Sequence, residues 1–92
     1  MIKTYKNKGT EDLHKGNFVK KFSAIANVAE RKLVMLAAAT VLDDLRVPPA
    51  NRLEALSGNR KGQHSIRIND QYRVCFNFRN GNAYNVEVVD YH

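Results

Sequence analysis

Residues 63–92, QHSIRINDQYRVCFNFRNGNAYNVEVVDYH, alternate apolar and polar side chains in three runs separated by turn residues. That is the pattern of an antiparallel β-meander. Ile66 and Ile68 mark one face of the first run, Val74, Phe76 and Phe78 the same face of the second, and Tyr84, Val86 and Val88 that of the third. Strand side chains alternate, so directly paired residues must share a face. A two-residue loop at Asn69-Asp70 sets Ile66 against Arg73 and mixes the faces. A three-residue loop through Gln71 sets Ile66 against Val74 and Arg67 against Arg73. The second turn holds Asn80-Gly81, ordinarily the mark of a two-residue loop. Here that choice pairs Phe76 with Asn85. An odd loop, with Gly81 left-handed in a bulge, returns Phe76 to a place opposite Tyr84 or Val86.

Two consequences follow for the polar side of the sheet. Arg67 and Arg73 face each other, which is unfavourable unless an anion visits. The tail Asp90-Tyr91-His92 returns beside the start of the Arg73 run, bringing an acid, a phenol and an imidazole toward a guanidinium. The plainer reading is a wet sheet face with splayed arginines and Glu87 paired to Arg73. The pattern alone leaves both open.

At 92 residues and 43% hydrophobic content the chain has material for one small core, so residues 1–92 are expected to form one domain. No apolar run approaches a membrane span. The start, MIKTYKNKGTEDL, lacks the apolar centre of a signal peptide. The lone Cys75 excludes an internal disulfide, which fits a reducing cytoplasm. Cys75 reads as a small structural side chain before it reads as a nucleophile.

The net charge is +6, and between Arg46 and Arg79 seven basic residues stand against two acids, Glu54 and Asp70. A basic stretch interleaved with Asn and aromatics suits a polyanion, most simply nucleic acid. An acidic protein partner suits it equally well, and a merely soluble basic domain is the third reading.

Upstream, residues 1–5 read as a short strand that needs a partner in the C-terminal sheet. Residues 6–9 read as a polar turn. Thr10 is placed to N-cap a short helix with Glu11 and Asp12 in its first turn, ended by Gly16 and Asn17. Residues 23–41 form the clearest helix, with Ile25, Ala29, Leu33, Leu36 and Thr40 on one stripe. It should lie across one face of the sheet. Val47-Pro48-Pro49 stops any continuation. Residues 49–52 read as an extended crossover, residues 53–56 as a short strand, and residues 57–62 as a glycine-bounded loop. That loop lacks P-loop spacing and no helix follows it. Its amides with Arg60 and Lys61 can still hold a nucleic-acid phosphate, or it is simply a solvated hairpin loop.

His14, His64 and His92 are not at metal-ligand spacing, so neither metal nor cofactor is expected. No Gly-x-Ser-x-Gly elbow occurs, and the nine acids are scattered. Metal-free RNA cleavage fits better. RNA carries its own nucleophile, the 2′-hydroxyl. The protein must deprotonate it, stabilise a phosphorane and protonate the leaving 5′-oxygen. His92, Tyr91 and Asp90 supply groups for the proton work, and Arg73 with Arg67 the phosphate clamp. The terminal carboxylate of His92 itself favours its imidazolium. A frayed terminus is the competing reading of His92.

MIKTYKNKG at the start, NRLEALSGNRKGQHSIRINDQYRVCFNFRNGNAYNVEVVDYH in the C-terminal half and the ending DYH resemble the HigB-type toxins of the RelE/ParE superfamily, the plasmid-maintenance killer proteins. The resemblance spans essentially the whole chain. Gly58-Asn59-Arg60, Tyr72-Arg73-Val74 and Asp90-Tyr91-His92 are specific only in combination. It implies a small α+β fold, an antiparallel sheet packed by N-terminal helices. It implies a cytoplasmic toxin that cleaves mRNA in the A site of the 70S ribosome. A HigA-like helix-turn-helix antitoxin would silence it, and operator DNA would be bound only through that complex. Carried over by position, Arg73 is the phosphate-stabilising arginine and Asp90, Tyr91 and His92 the catalytic cluster. Arg60 and Arg67 would help hold RNA, and Asn51, Arg52 and Lys61 of the basic stretch are expected to bind it with them. Members of the group carry a histidine and a lysine in the strand and loop before Gly58, where this chain has Glu54 and Ser57. The resemblance therefore implies a metal-independent endoribonuclease of weak activity, unless Arg52 or Arg60 substitutes.

Two other functions are compatible with such a chain. One is a ParE-like inhibitor that binds DNA gyrase without catalysis, since fold does not fix function. The other is a weakened toxin acting mainly as operator co-binder.

Overall fold

A computed structural model describes residues 1–91, and His92 lies outside the described residues. The order is α1 (Lys8–His14), α2 (Ala26–Ala38), β1 (Glu54–Ala55), β2 (His64–Arg67), β3 (Tyr72–Arg79) and β4 (Asn82–Asp90). Short 3₁₀ turns fill the connections. The four strands form an antiparallel sheet in the order β1-β2-β3-β4, with both helices on one face, an α+β arrangement.

The first hairpin has the register that parity requires. Ile66 pairs with Val74 and Arg67 with Arg73. Asn69 fixes the three-residue loop, because its Oδ1 accepts from the amides of Gln71 (2.8 Å) and Tyr72 (2.7 Å).

The second hairpin corrects the expectation of an odd loop. Arg79 pairs with Asn82 across a two-residue Asn80-Gly81 turn, with φ of 52° and 77° at its centre. Those angles are what the twist of a tight hairpin needs. Gly81 is also held there because a Cβ would meet the Thr40 carbonyl oxygen at 3.1 Å. Parity is restored inside β4 instead. One residue of β3, Phe76, spans the gap that Asn85 and Val86 fill on β4, and Asn85 is left-handed at φ 53°. The bulge flips the faces beyond it. Ala83, Val86 and Val88 are buried, whereas Tyr84 turns outward and receives the Arg79 guanidinium 3.8 Å from its ring centroid.

Residues 1–5 run parallel to the free edge of β4 through isolated bridges, Ile2 with Ala83 and Tyr5 with Val86. Amides of this segment and of the following Lys6 satisfy that edge, Lys3 N donating to Ala83 O and Lys6 N to Val86 O at 2.8 Å each. The cap of α1 is Asn7, not Thr10: Asn7 Oδ1 accepts from Thr10 N at 2.9 Å. Thr10 is fully buried, and its hydroxyl accepts from Val88 N at 3.0 Å, completing the β4 edge. The long helix is shorter than its apolar stripe suggests. A 3₁₀ turn at Lys20–Phe22 precedes it, and Thr40 is exposed while Ala39 is buried. Ile25, Ala29, Leu33 and Leu36 close over Ile66, Val74, Phe76 and Val86 to form the core. Residues 49–52 are not extended: Pro49–Asn51 is a 3₁₀ turn, and Arg52 follows in the left-handed region at φ 46°.

Candidate functional site

On the face away from the helices, β3 sends Arg73 into the floor of a cleft of about 220 Å³. Arg52, Glu54, Arg67, Asn69, Asp70 and Tyr91 complete the lining. Arg73 is 8% exposed, so its charge must be partnered. Its Nε donates to Ser65 Oγ at 2.7 Å, and Nη2 donates to the Arg52 carbonyl at 2.6 Å and ion-pairs with Glu54 Oε1 at 3.1 Å. Nη1 has no hydrogen-bond partner among the described residues. No side-chain nitrogen or oxygen there is both sealed from solvent and unpaired. The guanidinium is thus held through Nε and Nη2, and among the described residues Nη1 is left for an oxyanion.

The backbone serves that grip. Arg52 is not a glycine, yet it sits at φ 46°, ψ 56°. A bulky residue there is uncommon and persists only when its surroundings demand it. What is gained is the carbonyl aimed at Arg73. The Asn51 side chain holds the preceding turn: Nδ2 donates to Leu45 O at 3.1 Å and to Val47 O at 3.4 Å, while Oδ1 accepts from Lys32 Nζ.

The expected RNA-holding residues separate by position. Arg52, Arg67 and Arg73 share the cleft with Tyr91, which is 37% exposed and anchored by its amide to Gln71 O at 2.7 Å. Asn51 is fully buried and does not reach the cleft, so it belongs to the scaffold beneath it. Arg60 lies further along the open face, paired to Glu87 at 3.3 Å and to Gln63 at 3.1 Å. Lys61 is exposed beside it, outside the cleft lining. Asp90 pairs with Tyr72, which lies on the core side of β3, and the Asp90 carboxylate accepts from Gln71 Nε2 at 3.1 Å. It lines a separate depression with Lys21, Phe22 and Tyr72. Asp90 and Tyr91 therefore diverge, as adjacent strand residues must. The place of His92 falls outside the described residues.

The facing arginines are each neutralised separately, Arg67 by Asp70 and Arg73 by Glu54. The expected alternative partner of Arg73, Glu87, is taken by Arg60. Cys75 is buried, and burial raises its thiol pKa against the opposing pull of Arg60 and Arg73, which keeps it an inert thiol.

Glu54 and Ser65 are the site residues that sequence reasoning missed. Ser65 shares parity with Arg67, Arg73 and Cys75, and that parity was sufficient to find it. Glu54 arrives through β1, where it pairs with Ser65. Its sequence signals are that it is one of two acids in the basic stretch 46–79 and that it stands where the resembled toxins carry a histidine or lysine.

Residues 3–92 match the model of a family described as the RelE-like toxin of the type II toxin–antitoxin system HigB. The chain belongs to this family. It is 52% identical over 63 residues to "Toxin HigB-1" of Vibrio cholerae serotype O1, a match covering 68% of this chain and 66% of that protein. It is 32% identical over 94 residues to "Endoribonuclease HigB" of Proteus vulgaris, with both chains covered in full. In fold it is similar to a chain of the heterotetrameric YoeB–YefM toxin–antitoxin complex of Staphylococcus aureus, with a TM-score of 0.59 at 19% identity over 100% of this chain and 95% of that one. At that identity the likeness concerns the fold alone. Among the described residues no helix is long and apolar enough to cross a membrane.

Proposed function

We propose that this HigB-family toxin is a ribosome-dependent endoribonuclease that cuts translated mRNA in the Arg73 cleft. The observation that carries the reading is a nearly buried guanidinium on the floor of a cleft, with an exposed carboxylate 3.1 Å away and a phenol in the lining. An incoming phosphodiester displaces the Glu54 carboxylate from Nη2 of Arg73 and binds the guanidinium in its place. Glu54, whose side chain is 56% exposed, has room to swing. It then accepts the proton of the RNA 2′-hydroxyl. The 2′-oxygen attacks the adjacent phosphorus, and Arg73 stabilises the crowded phosphorane. The bond to the 5′-oxygen breaks, and that oxygen takes a proton from Tyr91 or from the C-terminal imidazole of His92. The products are a 2′,3′-cyclic phosphate and a 5′-hydroxyl.

Arg52 and Arg67 guide the strand on either side, and Arg60 and Lys61 extend the cationic track along the open face. Carboxylates as a class are weaker bases than imidazole, so Glu54 is consistent with slow cleavage. The toxin acts in the cytoplasm, where a helix-turn-helix antitoxin binds it and the pair binds operator DNA.

The test is a reconstituted one: purified 70S ribosomes, a defined mRNA and the toxin, with product ends analysed chemically. Cyclic-phosphate ends made by wild type and lost in Arg73→Ala support the reading. A wild-type protein that leaves mRNA intact while blocking gyrase supercoiling would replace it with the bound-inhibitor function.

A further inference from the structure

A second cavity of about 250 Å³ opens beside the Arg73 cleft, lined by Val28, Arg31, Lys32, Met35, Pro48, Ala50, Arg67 and Ile68. Arg67 lines both hollows. The apolar lining is formed by Val28 and Met35 from α2 and Ile68 after β2, with the exposed Pro48 and Ala50 of the turn at the mouth. Three cations stand round it, and no acid is among the lining residues. Burial lowers the pKa of Lys32, with the like charges of Arg31 and Arg67 acting in the same direction. Asn51 Oδ1 satisfies one Lys32 donor but carries no charge. Among the described residues Arg67 reaches a carboxylate only on Asp70, whose side chain is 98% accessible.

Resting on the nuclease reading, we infer that this cavity is a nucleotide subsite, taking the base that flanks the scissile phosphate. The base would lie flat between Met35, Pro48 and Ile68, and its phosphate would bridge Arg31 and Arg67. Three features favour a nucleotide over an apolar peptide. Three cations and no acid are among the lining residues, as phosphate binding requires. The volume is below the roughly 300–1,000 Å³ of drug-sized pockets and suits a single flat ring system. Arg67 joins the cavity to the cleft where the chain of the RNA would pass. The apolar lining reads no hydrogen-bond pattern, so it discriminates by ring size, accepting purine and pyrimidine to different depths.

The test uses a trinucleotide with 2′-O-methyl groups, which cannot be cut, titrated into isotopically labelled protein and followed by amide chemical shifts. The expected result is that Met35, Ala50 and Ile68 shift in the same titration as Arg52 and Arg73. Ala50 is exposed, so Ala50→Phe fills the mouth without touching the core. It should weaken the trimer about tenfold and abolish the Met35 and Ile68 shifts alone. Exposed Arg31→Ala should weaken binding severalfold and reduce its salt dependence. An abasic trimer should leave Met35 and Ile68 unmoved. Shifts confined to the Arg73 cleft, unaltered affinity in Ala50→Phe, or equal shifts from the abasic trimer would each overturn the subsite. So would absence of trimer binding. The nuclease reading is judged separately by its ribosomal cleavage products, so either can fail without the other.

Discussion

The two faces of β3 are built from the same eight residues and obey different rules. Toward the helices, Tyr72, Val74, Phe76 and Phe78 pack against the core, and Val74 and Phe76 are wholly buried. Toward the cleft, Arg73, Cys75 and Asn77 meet polar neighbours, and Arg73 is buried although it is charged. The apolar face is held by area and shape, terms that tolerate no slip of register. The charged face inherits its geometry from that register. Arg73 stands opposite Arg67 because Val74 stands opposite Ile66. Stability is therefore concentrated on one face and the proposed chemistry on the other, and substitutions should separate them.

The largest effect is expected on the apolar face. Phe76→Ala removes a fully buried ring and should cost about 3–5 kcal/mol in urea denaturation. A loss below about 1 kcal/mol would mean that Phe76 is not the keystone of the core. On the other face, Arg73→Ala should lower the cleavage rate about 10²–10³-fold, the usual penalty for removing one oxyanion donor. Its stability should fall much less than that of Phe76→Ala, because the Glu54 left behind is solvated. Glu54→Gln should cut the rate about 100-fold and, by leaving the nearly buried Arg73 without its charged partner, cost about 1–2 kcal/mol, less than Phe76→Ala. Glu54→His, restoring an imidazole, should recover more rate than Glu54→Gln. Equal rates for the two variants would remove Glu54 from the proton work.

Asn51 sharpens the contrast because it serves both faces. Asn51→Ala strands the Leu45 carbonyl and the Lys32 ammonium and should cost about 1–3 kcal/mol. It should also slow cleavage by relaxing the turn that aims the Arg52 carbonyl. Stability loss with an unchanged rate would show that this turn does not position Arg73.

The smallest effect lies remote from both faces. Asp44 accepts from the Thr40 and Val41 amides at 2.9 and 3.3 Å, and these bonds lower its pKa. A depressed folded pKa stabilises above the unfolded value and loses that contribution as pH falls through the folded one. The melting difference between wild type and Asp44→Ala should thus be visible at neutral pH and shrink on acidification below the carboxylate range. A difference that grew on acidification would refute the assignment.

How much of this was legible follows the same division. Period-two alternation fixes which β2 and β3 residues enter the core, and parity then fixes the first hairpin. It also delivers Arg73 opposite Arg67. The β4 bulge was misplaced into the turn, since alternation shows that an extra residue exists but not where it sits. The signal for its true position is Asn85, a residue type that tolerates the left-handed region. Thr10 and Asn7 are both good caps, and the choice between them rests on a tertiary bond, Val88 N to Thr10 Oγ1, that no local pattern contains. Glu54 escaped because a two-residue strand has no periodicity, so its register against β2 is set only by the folded sheet. Asn51 looked like an RNA ligand by composition, and burial made it a brace.

The central claim is that the Arg73 cleft cuts translated mRNA. Its most direct test is mapping mRNA 5′ ends in cells after brief induction of wild type and Arg73→Ala, with both proteins shown to be soluble and folded. The account predicts cuts within translated codons for wild type that vanish in Arg73→Ala, along with relief of growth arrest. Growth arrest by wild type with no new 5′ ends, or identical cuts from both proteins, would contradict it.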